Sequence, residues 1–114
     1  MSTNTQGKTT VSPEVLTTIA RFSAQSVPGV SRFAAMPGGV NRLFKRGAGE
    51  GIQIEIEDNL VNADLYLILK ENMNIREVSR NVQQQVARAI QEMVGMDVES
   101  VNIHIEDIDY DENE

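Results

Sequence analysis

Apolar side chains recur along this 114-residue chain with two different periods, and each switch of period marks a new element. Between Val11 and Pro28 the period is helical: Val15, Ile19 and Phe22 line one face, with Leu16 and Ala20 beside them. Ser12-Pro13-Glu14 supplies a cap, a proline at the first helical position and an acid at the positive end of the helix dipole. Val11 and Leu16 occupy the two positions of a hydrophobic staple, and Pro28-Gly29 stops the helix. Val30 to Met36 reads as a short strand closed by Pro37-Gly38-Gly39. From Ile52 the period drops to two. Ile52, Ile54 and Ile56 alternate with Gln53, Glu55 and Glu57, Asp58-Asn59 makes a turn, and Val61, Ala63, Leu65, Leu67 and Leu69 form one face of a longer strand. A hairpin follows from that arrangement. Asn74 then opens a second helix, with Glu77 at capping-box spacing, an apolar stripe of Ile75, Val78, Val82, Val86, Ala89 or Ile90, and Met93, and Gly95 as a left-handed stop. Val98 to Ile105 is a last strand, with Val101, Ile103 and Ile105 inward.

Each helix carries a single apolar stripe, so both belong on one face of one sheet. The expected fold is a two-layer α/β (α+β) domain, a single mixed sheet with two main helices packed on one face, in the order β-α-β-β-β-α-β. Residues 1–7 read as a flexible tail, 8–109 as the domain and 110–114 as an acidic tail, with the segment DIDYDENE fraying from Asp107 onward. The other sheet face carries Gln53, Glu55, Glu57, Asn62, Asp64, Asn102, His104 and Glu106, polar enough for water. Tyr66 and Ile68 interrupt it and could seed a partner contact.

Charge changes this picture. The net charge is −7, yet residues 1–50 hold six basic groups against two acidic ones, and residues 51–114 four against fifteen. An acidic chain repels polyphosphate at long range, so nucleic-acid binding would rest on the first half alone, through Arg32, Arg42, Lys45 and Arg46. No apolar run is long enough to span a bilayer. The stretch MSTNTQGKTT lacks the apolar core of a secretion signal, and the chain has no cysteine, so a cytoplasmic location is expected.

Candidate chemistry is sparse. Nucleophilic catalysis needs a base beside an activated Ser or Cys, and His104 is the only imidazole, set on the outward face of a strand. Glu55, Glu57 and Glu106 lie on an open face rather than in a cleft, which favours solvated charge over a glycosidase-like pair. Asp107, Asp109 and Asp111 copy the first spacings of a calcium loop, but Glu112 stands where glycine is required. Gly47-Ala48-Gly49-Glu50-Gly51 is not followed by the Gly-Lys-Ser/Thr of a phosphate loop. No catalytic, cofactor or metal residues are assigned, and no enzyme is expected.

One basic stretch remains, GGVNRLFKRGAG at 38–49. Leu43 and Phe44 with Val40 fit one side of a helical turn, and Arg42, Lys45 and Arg46 fringe it. Three apolar residues give marginal membrane affinity by themselves. The plain reading is a loop that tucks Leu43 and Phe44 against the core. The functional one is a docking site for a partner or an anionic surface, made by Arg42, Leu43, Phe44, Lys45 and Arg46.

Two longer stretches carry a resemblance. VSPEVLTTIARFSAQSVPGVSRFA (11–34) is similar to the first helix and following Gly-Val of the alkaline shock protein family, bacterial envelope-stress-response proteins. LYLILKENMNIREVSRNVQQQVARAIQEMVGMDVESVNIHIEDI (65–108) resembles that family's second signature, a strand running into Asn-Ile, a helix with Val-Gln, a glycine stop and a Val-Asn-Ile strand. The resemblance implies a non-enzymatic protein of cell-envelope homeostasis and stress response, a scaffold or adaptor that self-associates into a homo-oligomer. It also implies an anchor protein that can hold it beneath the cytoplasmic membrane. The alternative is a small nucleic-acid-binding module using 42–46.

Overall fold

A computed structural model describes residues 11–35 and 51–110. Six elements follow one another: α1 (Pro13–Gln25), β1 (Val30–Phe33), β2 (Ile52–Glu57), β3 (Leu60–Lys70), α2 (Ile75–Val94) and β4 (Asp97–Asp109). The strand expected ahead of α1 falls outside the described residues, as do Met36 to Glu50 and Asp111 to Glu114.

Among the described residues, β3 is the only strand that every other strand touches. β4 pairs with it in parallel along its whole length, from Leu60↔Asp97 to Lys70↔Asp109. The opposite edge of β3 is shared end to end: β2 takes Leu60 to Leu65 and β1 takes Leu67 to Leu69, both antiparallel. Tyr66 lies at the join, donating its N–H to the Gly51 carbonyl and accepting from the Ala34 N–H, each at 2.8 Å. Gly51 has φ +76, and a Cβ there would stand 2.6 Å from the Ala34 oxygen. Only glycine lets β2 begin where β1 ends. The sheet is mixed, as expected.

Local chemistry explains the connections. Asp58 and Asn59 take φ 53 and 64, the doubly left-handed turn whose twist suits a two-residue hairpin. A parallel neighbour cannot be reached by a tight turn, so α2 carries the chain from the end of β3 back to the start of β4. Asn74 accepts from the Glu77 N–H at 3.0 Å, and Gly95 closes α2 at φ 75. Ser12 accepts from the Glu14 N–H at 3.1 Å, and Val11 packs on the core as a staple should.

Both helices cover one sheet face. Leu16, Ile19, Ala20 and Ala24 of α1 and Val78, Val82, Val86 and Ile90 of α2 are buried against Ile52, Ile54 and the inward side of β3, whose Val61, Ala63, Leu65, Leu67 and Leu69 are fully buried. The expected stripes take in residues that face solvent. Ile75 (46% exposed) and Met93 (69%) lie at the two ends of α2, Ile56 at the hairpin end is 38% exposed, and Val15 (45%) and Phe22 (67%) lie on the flank of α1, to one side of the buried Leu16, Ala20 and Ala24. β1 closes at Phe33, short of the expected Met36.

The larger correction concerns the acidic tail. Asp107 to Asp109 do not fray; they continue β4 opposite Ile68, Leu69 and Lys70. Ile108 packs on the core, and the Asp109 carbonyl accepts from the Glu71 N–H.

Val82→Ala should lower the urea midpoint, since deleting buried methyl groups costs on the order of 1–3 kcal/mol. Met93→Gln should change stability by less than about 0.5 kcal/mol. Equal losses in both variants would place Met93 in the core and contradict the packing.

Candidate interaction face and open edge

The sheet face away from the helices is built by the even-numbered residues of β3 and their neighbours. Asp64 sits opposite Gln53 on one side and Asn102 on the other. His104 and Asn102 both donate to its Oδ1, at 3.0 and 3.2 Å. A carboxylate oxygen only accepts, so the His104 Nε2 carries the proton. Tyr66 lies opposite His104, and the two rings stack with centroids 4.4 Å apart and planes 12° from parallel. Burial raises the Tyr66 pKa, and the negative charges of Asp64 and Glu106 raise it further, so the phenol stays neutral. His104 is therefore a half-buried member of a cluster rather than a freely solvated histidine.

Two further groups flank this cluster. The Ser100 hydroxyl donates to Asn62 Oδ1 at 2.6 Å, and Asn62 Nδ2 donates to Glu99 at 3.1 Å. At the other end, Ser31 Oγ donates to Asp109 Oδ2 at 2.6 Å, and Arg32 reaches the same carboxylate with two bonds of 3.3 Å. β1 and β4 lie on opposite edges of β3, so these bonds cross the outer side of β3. There Ile68, opposite Arg32 and Asp107, is only 6% exposed. The Ser31 hydrogen bond, then Arg32, hold the Asp109 carboxyl below the usual carboxylate range.

The arrangement is an array of mutually satisfied side chains on an open surface. No group of three or more His, Asp or Glu among the described residues is placed to hold a metal ion. Glu55, Glu57 and Glu106 are exposed, on the same face. Arg42, Leu43, Phe44, Lys45 and Arg46 lie outside the described residues. Sequence reasoning placed Asp64, His104 and Asn102 on one face but missed their convergence, which needs the β3–β4 register. It missed the role of Asp109 because its partners lie at the other end of the chain.

The face ends at β4, whose outer edge is joined to no strand among the described residues. No helix among these residues is long and apolar enough to cross a membrane.

A layer of two helices on one face of a mixed four-stranded sheet is a small α+β domain, and solved structures share it. The MamM CTD, in its H285A form, superposes with a TM-score of 0.51 over 82% of this chain and 95% of that one, at 14% identity. Its H264A-E289A-C267S form gives 0.52 over 82% and 93%, at 13% identity. At such identity the likeness is one of fold. Sequence goes further: residues 1–110 match the model of the alkaline shock protein 23 family, described as having a cell envelope-related function. The chain belongs to that family, the one that its two signature stretches resemble. It is similar to the uncharacterized protein YqhY of Bacillus subtilis, 29% identical over 92% of this chain and 79% of the relative. The uncharacterized protein Spy1535 of Streptococcus pyogenes serotype M6 is 32% identical over 95% and 84%.

Asp109 gives a pH dependence with a definite sign. Its pKa is depressed on folding, so its contribution is present above the unfolded carboxylate value and is lost as pH falls through the folded one. Asp109→Asn should remove that part of the acid loss seen in urea titrations at successive pH values. The effect should shrink with added salt, because the group is exposed. Identical pH profiles for the two proteins would show that the Ser31 and Arg32 contacts do not act in solution.

Proposed function

We propose that the protein is a non-enzymatic scaffold or adaptor of the cell envelope, self-associating in the cytoplasm and held near the membrane by a partner protein. Membership of a family with a cell envelope-related function supports the envelope role. One structural observation supports the scaffold reading. Three groups of polar side chains on the helix-free face pair among themselves, His104 and Asn102 on Asp64, Ser100 and Asn62 toward Glu99, and Ser31 and Arg32 on Asp109, instead of gathering around a cleft. Such a surface holds its shape and presents it. Among the described residues it has no activated nucleophile and no enclosed site to exclude water from a reaction.

In this reading the basic stretch 38–49 is the docking segment, with Arg42, Lys45 and Arg46 acting on an anionic surface within a Debye length of about 8 Å in physiological salt. Replacing all three by Gln should leave the urea midpoint unchanged and weaken flotation with anionic liposomes, with no change on neutral ones. Sedimentation of the unmodified chain should show oligomers whose mass does not respond to short RNA. A salt-sensitive RNA complex lost in the triple variant would replace docking with nucleic-acid binding.

A further inference from the structure

We infer that the outer edge of β4 between Ser100 and Ile105, which has no neighbour among the described residues, is the surface through which two copies of this chain join, antiparallel about Ile103, making one continuous sheet. The inference rests on self-association as proposed above and names its interface.

The orientation of the edge follows from the ladder. Tyr66 commits its N–H and C=O to Gly51 and Ala34, on the β1 and β2 side of β3. Successive residues of a strand aim their main-chain groups in opposite directions, so Ala63 and Leu65 aim at β4. In a parallel ladder a residue bonds the two neighbours of its opposite number. Ala63 and Leu65 lie opposite Val101 and Ile103, so they engage Ser100, Asn102 and His104. Val101, Ile103 and Ile105 are left aiming outward. An independent contact agrees: Gln83 reaches from α2 to donate to the Val101 carbonyl at 2.9 Å, filling one outward acceptor with a side chain. A carbonyl has two lone pairs, so this bond can be shared when a strand arrives.

The edge is unguarded only within this window. Natural edge strands are blunted by lysine, proline, bulges or charge, and Ser100-Val101-Asn102-Ile103-His104-Ile105 has no Lys, Arg, Pro, Asp or Glu. Register shifts fall on either side of it, between Val61 and Asn62 and between Leu67 and Ile68 on the β3 side. Acids flank it, with Asp97 and Glu99 before it and Glu106, Asp107 and Asp109 after it. A bulge bends the strand away, and a row of acids repels its own image, so pairing is confined to the window.

Within the window the strand complements itself. A two-fold axis through Ile103 sets Ile103 against Ile103 of the second copy and Val101 against its Ile105, pairs that exchange both main-chain hydrogen bonds. Asn102 then faces His104 of the second copy on the helix-free side, without a like-charge pair. Ile103 and Ile105 are only half-buried against the core in the single chain, and the second copy's strand would cover their open flank. The match is isologous, which is what a closed dimer needs. Beyond the window Glu99 would meet Asp107, and with net −7 on each copy the association should tighten as salt rises. Docking to an anionic surface would respond to salt in the opposite sense.

The test uses the full chain. Hydrogen exchange is followed at Val101, Ile103 and Ile105 in dilute and concentrated solution, with sedimentation equilibrium on the same samples at low and high salt. The expected result is a dimer favoured by concentration and by salt, in which those three amides slow by about tenfold or more. The chain has no cysteine, so Ile103→Cys adds a single thiol. Opposed residues of antiparallel strands lie within disulfide reach, and mild oxidation should link the pair covalently, whereas Phe22→Cys on α1 should not link. Association with unchanged exchange at these amides would overturn the edge and leave self-association standing. A monomer at every concentration would overturn both.

Discussion

The fold depends on β3. β1, β2 and β4 all hydrogen-bond to it, and among the described residues none of the three pairs with another. Its inward side chains are fully buried under both helices, and its outward ones anchor the polar array. Its edge nearest α1 must serve two strands in eleven residues, which Tyr66 manages by giving its N–H to one and its C=O to the other. That economy has a consequence. With one edge of β3 divided and the other filled by β4, the sheet ends in a long strand that has no neighbour among the described residues.

The two faces of the sheet are stabilised by different physics. Under the helices, burial of Val, Leu and Ile supplies non-directional stability, and small residues such as Ala20, Ala24 and Ala63 let the layers approach. On the far side, stability is directional, with Asp64 and Asn62 of β3 bonded to Asn102, His104 and Ser100 of the adjacent β4. Such an array fixes register. A one-residue slip of β4 would send His104 and Asn102 to the helix side and bring Val101 and Ile103 into water. The Asp109 contacts with β1 fasten the far end of the strand, across nearly the whole sequence.

Much of this was legible in the sequence where the cause is local. Ser12, Asn74 and Gly95 set helix ends, Asp58-Asn59 sets a hairpin, and the alternation from Val61 to Leu69 sets the buried side of β3. Signals failed where the cause is distant. Ile75 and Met93 fit the helical period, but exposure depends on where the sheet ends, which periodicity does not encode. Asp107 and Asp109 looked like a solvated tail because their charge is visible and their partners are not. His104 looked solitary until register set it against Tyr66 and Asp64. The alkaline shock resemblance supplied the family, which no single side chain could, and the docking residues Arg42 to Arg46 rest on sequence alone.

The organisation around β3 leaves a specific mark on β4. In a dilute, monomeric sample, protection from hydrogen exchange should alternate along the strand. The amides of Asn102 and His104, bonded to Ala63 and Leu65 of β3, should exchange slowly, and those of Val101, Ile103 and Ile105, aimed at the open edge, should exchange fast. Uniform protection from Val101 to Ile105 in the monomer would mean that the chain itself covers this edge, and it would contradict the account.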